Sequence, residues 1–185
     1  VQVRLITFSD ENHYPFLTEN LDWQVISASV QLSIFHQNVL NIDALQKAIE
    51  DFAPDVIHTH LFEAEIVSRS CSYPQAKRFS HCHDNMRQFK NFSIKTLFNK
   101  QLLTNFFEKR YLFSRYRANG GNTFIAISHD TEQYFRKTTR HYNVQLLPNA
   151  IDYEKFHCDN SRQPSTKLRL VNVGSLNANK NQIFL

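Results

Sequence analysis

Glycine is scarce in this sequence: three residues (Gly120, Gly121 and Gly174) in 185, where average usage near ~7% gives roughly 13. Neither G-x-G-x-x-G nor G-x-x-x-x-G-K-[ST] can be assembled from them, so a complete dinucleotide fingerprint and a P-loop are both excluded. Collagen-like and low-complexity classes fail on the same count. No apolar run approaches the ~18 residues of a membrane-spanning helix. The three cysteines, Cys71, Cys82 and Cys158, are odd in number, scattered and without C-x-x-C spacing. That argues against a disulfide framework or a cysteine zinc site, and for a reducing, cytoplasmic setting. The one methionine is Met86, so Val1 is not an initiator and the chain is expected to be a piece of something longer.

What is present is ample apolar material, 42% of residues, enough for one globular core. Short β-branched runs alternate with helical patterns. Val1 to Phe8 and Gln24 to Ala28 read as strands. Asn41 is a candidate N-cap for a helix that places Ile42, Leu45, Ala48, Ile49 and Phe52 on one face. Pro54 stops that helix, and Asp55-Val56-Ile57-His58 opens the next strand. A helix over Glu63 to Ser70 and a strand over Lys77 to Cys82 follow. One long helix is predicted from about Ser93 to Arg117, with Ile94, Leu97, Phe98 and Leu102 sharing a face and Leu103, Phe107 and Tyr111 extending it. Asn119-Gly120-Gly121-Asn122 breaks it. Strand Thr123 to Ile127, helix His129 to Lys137 and strand Asn143 to Leu147 complete the series. Strands alternating with helices imply βαβ units, hence an α/β fold with a Rossmann-like, mostly parallel sheet and helices on both faces. His157 to Lys167, polar and containing Pro164, reads as a linker between a domain over 1–156 and a fresh buried strand opening a second domain over 168–185.

Ligands of open parallel sheets bind beyond the carboxyl ends of the strands. Three marked clusters fall there: His58-Thr59-His60, His81-Cys82-His83-Asp84 and Ser128-His129-Asp130. Period-two spacing puts both histidines of an H-x-H pair on one side of a strand. Each pair is compatible with plain packing, with a metal site, or with contact to a substrate hydroxyl or phosphate. Recurrence at successive strand ends favours substrate contact, and no metal is expected.

Charge is unevenly placed. Residues 87–117 carry eight bases against one acid, Glu108, leaving −3 for the rest of a chain whose net charge is +4. Eight aromatics are interleaved with those bases. The combination suits an anionic membrane surface, with Lys95, Lys100, Lys109 and Arg110 as the contacting cations. A plain solvated helix is the alternative, and nucleic acid is not expected because no recognised motif accompanies the charge. Separately, Val173-Gly174-Ser175-Leu176 followed by Lys180-Asn181 can present backbone N–H groups and a cation to a phosphate, or be an ordinary βα turn.

In order, D-V-I-H-T-H, R-F-S-H-C-H-D, F-I-A-I-S, L-L-P-N-A-I-D-Y-E-K-F and V-N-V-G-S-L-N-A-N-K-N resemble the family 4 glycosyltransferases, and the H-x-H strands most resemble its capsular and exopolysaccharide subgroup. The resemblance implies a GT-B enzyme that transfers a sugar with retention from a nucleotide-diphosphate donor, without a cofactor, to a saccharide or lipid-linked acceptor. It implies that this chain is the acceptor-side domain, truncated at both ends. A first strand, glycine turn and helix are expected upstream of Val1, and most of the donor domain, with its E-x-x-x-x-x-x-E segment, beyond Leu185. The fragment alone is expected to be inactive.

Carried over by position, His60 matches the histidine near the reacting centre and is the candidate catalytic residue. His58, His83 and Asp84 would line the acceptor cleft. Ser128 matches the serine of the family's A-x-S pattern, more a structural position than a catalytic one. Gly174, Ser175 and Lys180 would hold the donor diphosphate, and Ser175 stands where the family often has arginine. A GT-B epimerase or phosphorylase and a non-catalytic Rossmann-like module are the alternatives. The expected location is the cytoplasmic face of a membrane, bound peripherally.

Overall fold

A computed structural model describes residues 1–33, 36–140 and 142–157. The chain forms two compact units, Val1–Asn149 and Ala150–Leu185. In the first, β1 (Arg4–Thr7) and β2 (Asp22–Val25) pair in parallel around a short helix α1 (Pro15–Thr18). The strands β3 (Ser29–Gln31) and β4 (Val39–Asn41) pair antiparallel. Helix α2 (Asp43–Phe52) leads into a four-stranded sheet, β5 (Val56–His60), β6 (Lys77–Cys82), β7 (Thr123–Ala126) and β8 (Asn143–Leu146), in that spatial order and parallel throughout. The connections are α3 (Phe62–Ser70), then α4 (Ile94–Leu97) with α5 (Lys100–Ala118), then α6 (His129–Thr138). This is the α/β architecture that the alternating pattern implies. In the second unit the described residues include one helix, α7 (Tyr153–Phe156). The predicted linker beyond His157 and the strand over 168–173 lie outside the described residues.

Successive parallel strands joined by right-handed crossovers put their helices on one side of the sheet. Glu65 of α3 accepts a hydrogen bond from Thr59 of β5. Phe135 of α6 stacks on Phe124 of β7 at 5.1 Å, and Tyr116 of α5 meets that ring edge-on at 5.7 Å. Phe89, Leu112, Cys82, Ala126 and Val144 close the same core. Aromatic pairs in these geometries add about 0.5–1.5 kcal/mol each beyond the area they bury.

Three local features differ from the sequence reading. Asn41 does not cap α2; it ends β4, and Ile42 takes the cap position without a side-chain hydrogen bond, while Asp43 sits at the positive end of the helix. The helix stops at Phe52 because Ala53 turns left-handed (φ 50°), one residue before Pro54. The single long helix is two, split at Asn99, whose side chain accepts from the Leu102 amide at 3.1 Å. Asparagine is mediocre inside a helix and among the best N-caps, so the chain restarts there. As a result Ile94, Leu97 and Phe98, expected on a buried face, are exposed (76%, 59% and 87%).

Candidate functional site: a histidine cluster at the ends of two strands

Alternation along β5 and β6 decides which side chains reach the site. Thr59, Ser80 and Cys82 point into the helical core. His58, His60 and His81 therefore point to the opposite face. The parallel register sets His60 beside His81, and His83 follows just past the end of β6. The two H-x-H pairs become one cluster. His58 and His81 rings stack at 5.2 Å, His60 and His81 at 4.8 Å, and His81 and His83 at 4.7 Å. His60 Nδ1 lies 2.9 Å from His83 Nε2, and His81 Nδ1 lies 3.2 Å from His58 Nε2.

This crowding fixes protonation. The pKa values of His58, His60 and His81 are all lowered below 6.5, first by partial desolvation against the strands and then by neighbouring imidazoles, while the Glu65 carboxylate acts on His58 in the opposite direction. The neutral form is favoured in all three, with His58 Nε2 and His81 Nδ1 taken up by each other, His60 Nδ1 by His83, and His81 Nε2 buried. The other ring nitrogens of His58 and His60 are the ones placed to meet a hydroxyl, a phosphate or a cation.

The backbone beside the cluster is bent. Leu61, directly after His60, has φ 69° and ψ 158°, a region otherwise reserved for glycine and costing about 1–3 kcal/mol. The bend ends β5 at His60 and starts α3 at once, so Thr59 can reach Glu65 across the turn.

A buried ionic network underlies the site. Arg69 Nε donates to Glu65 Oε1 at 3.0 Å, with both side chains 1% exposed. Its remaining donors reach the Gly121 carbonyl at 3.0 Å and the Asn122 side-chain oxygen, and its guanidinium sits 4.7 Å over the Tyr116 ring. Arg78, also buried, donates to the Ser68 carbonyl at 3.0 Å; burial and the nearby Arg69 charge push its pKa down to about 10. The sequence reading missed this network because Glu65 and Arg69 at i,i+4 look like an ordinary solvated helix pair. Burial likewise raises the thiol of Cys71 to about 11 and that of Cys82 further, so both remain protonated and unreactive.

The other predicted residues fall in several places. Asp84 is exposed beside His83, and the adjoining Asn85 ties this loop to Asp130 at the start of α6 (2.7 Å). Ser128 is the N-cap of α6: its hydroxyl accepts from the Thr131 amide at 3.2 Å, which accounts for it structurally. Lys100 and Arg110 are exposed. Lys109 turns inward and donates to the Phe89 carbonyl at 2.8 Å, and burial lowers its pKa. The side chain of Lys95, and all of Gly174, Ser175 and Lys180, lie outside the described residues.

The family model for Glycosyltransferase Family 4 matches residues 1–155, most of the chain. The chain belongs to Glycosyltransferase Family 4. Its parallel α/β sheet is consistent with the Rossmann-like amino-terminal domain of a GT-B enzyme. No curated protein and no solved structure matches it. Membership makes this a glycosyltransferase domain, and the family suggests a sugar donor and an acceptor as its partners.

Proposed function

We propose that the chain is the acceptor-side part of a retaining glycosyltransferase that uses a nucleotide-diphosphate sugar and acts on a saccharide or lipid-linked acceptor in surface polysaccharide synthesis. The observation that carries this reading is the convergence of neutral histidines at the carboxyl ends of β5 and β6, in a chain that belongs to a glycosyltransferase family. That is where a parallel sheet offers its ligand site. His60, with His83 fixing one ring nitrogen, would orient the acceptor hydroxyl through the other. His58, Asp84 and His83 would shape the acceptor cleft, while Ser128 holds α6 in place. Lys180, with the Gly174-Ser175 turn, would offset charge on the departing diphosphate.

The acceptor side would sit on an anionic membrane surface. No helix among the described residues is long and apolar enough to cross a membrane. The α4–α5 corner instead exposes Phe92, Ile94, Leu97 and Phe98, with Lys100 and Arg110 at its flank. Exposed apolar groups beside cations suit the boundary between headgroups and acyl chains, on the cytoplasmic leaflet.

The full-length protein, incubated with a panel of nucleotide sugars and lipid-linked saccharides, is expected to transfer sugar with the donor's anomeric configuration, read by NMR of the product. Inverted product, or epimerised or phosphorolysed donor without transfer, would refute this reading. Replacing Lys100 and Arg110 by glutamine should weaken binding to anionic vesicles, with less effect at high salt. Unchanged vesicle binding would remove the membrane assignment.

A further inference from the structure

Each H-x-H pair alone supplies too few ligands for a metal ion, and the sequence keeps the pairs apart. Strand pairing changes that. One ring nitrogen from each of His58, His60 and His81 lies within 4.8 Å of the other two. Tetrahedral zinc with Zn–N bonds near ~2.0–2.1 Å has nitrogen–nitrogen edges of about 3.3–3.4 Å. The His58–His81 nitrogens are 3.2 Å apart in a hydrogen bond, close to such an edge in length, and a metal would replace the proton shared between them. The third imidazole has at most ~1.5 Å to move to complete the set, and His60 is exposed enough to make that rotation. We propose that His58, His60 and His81 form a binding site for a single divalent transition-metal ion, with zinc the best fit and one coordination position open.

Three features of the strands support it. The ligand-bearing backbone is held by the β5–β6 ladder, so the Cβ positions are preorganised. His83 occupies the Nδ1 side of His60 at 2.9 Å, the outer contact that metal-bound histidines characteristically make, leaving Nε2 to ligate. The donor set is imidazole alone, because Cys82 projects into the opposite, buried face. Imidazoles select zinc, cobalt, nickel or copper, whereas magnesium and calcium require oxygen ligands. The proposal goes beyond the transferase reading: a metal on His60 Nε2 and an acceptor hydroxyl oriented by that same nitrogen exclude one another, so the metal-loaded form is a separate state that needs neither donor nor acceptor.

The test uses untagged full-length protein, stripped with a chelator, desalted, then loaded with Zn²⁺ or Co²⁺. Metal analysis should find one zinc per chain after a second desalting, and Co²⁺ should give the intense visible bands of a tetrahedral site. Zinc should abolish those bands and magnesium should leave them. His58→Ala and His81→Ala should each lower zinc affinity at least about tenfold, while His13→Ala, far outside the cluster in sequence, should retain it. Far-ultraviolet circular dichroism identifies any variant that has not folded, and His81→Gln then replaces it. Substoichiometric zinc, or equal retention by wild type and the His58 and His81 variants, overturns the site. The readout is metal content, so absence of transferase activity would leave this result standing.

Discussion

The two faces of the β5–β8 sheet come from the same four strands and hold opposite chemistry. On one, Thr59, Ser80, Phe124 and Val144 are sealed under α3, α5 and α6. On the other, His58 and His60 are exposed and His81 is half-buried. The buried face carries charge too, but there Glu65 pairs with Arg69, and the terminal nitrogens of Arg78 donate to backbone carbonyls. The open face carries polar rings that bond mainly to one another. The difference separates what holds the domain together from what we propose meets a ligand, so stability and function are expected to respond to substitutions on different faces.

The largest expected effect is on the sealed face. Glu65→Ala leaves the Arg69 charge buried without its carboxylate, and should cost about 3–5 kcal/mol, read as a lower denaturant midpoint. A loss under ~1 kcal/mol, the range of an exposed pair, would break the contrast. Between the faces sits Leu61. Leu61→Gly relieves a backbone strain of about 1–3 kcal/mol while adding roughly 0.5–1 kcal/mol of unfolded-state entropy. Unchanged or slightly higher stability is therefore expected, measured by equilibrium unfolding. A clear loss would mean that the bend carries no strain.

Smaller still is the pH response of the open face. His58, His60 and His81 have lowered pKa values in the fold, so the unfolded chain binds protons more readily below its ordinary value of 6.5. Stability should be flat well above that pH and fall as pH drops through 6.5. Thermal melts should show that fall in wild type and a shallower one in His81→Ala. Equal slopes would remove the mutual depression of the three rings.

The fold was largely readable because each strand of the main sheet is short, β-branched or aromatic, and punctuated. Lys77–Cys82 reads correctly to the residue, bounded by Pro74 upstream and by His83-Asp84 after it, and α6 opens on the expected Ser128-His129 step. The β3–β4 pair escaped because three-residue strands carry almost no periodicity. The break at Asn99 escaped because the apolar spacing continues through it, and only cap chemistry distinguishes a restart from an interior turn. For the site, His58 with His60 and His81 with His83 were legible as strand-end pairs. The union of the two pairs was not, since it depends on the long-range register that pairs His60 with His81. No local pattern marks Arg78 of β6 as buried; its burial depends on α3, whose Ser68 carbonyl accepts from it.

The histidine face would serve transfer and not folding. His60→Ala in the metal-free full-length protein tests this most directly, with transfer rate and melting temperature measured on the same sample. A melting temperature within about 2 °C of wild type is expected, as for other exposed positions. The transfer rate should fall at least about tenfold. A wild-type rate in the folded variant would contradict it.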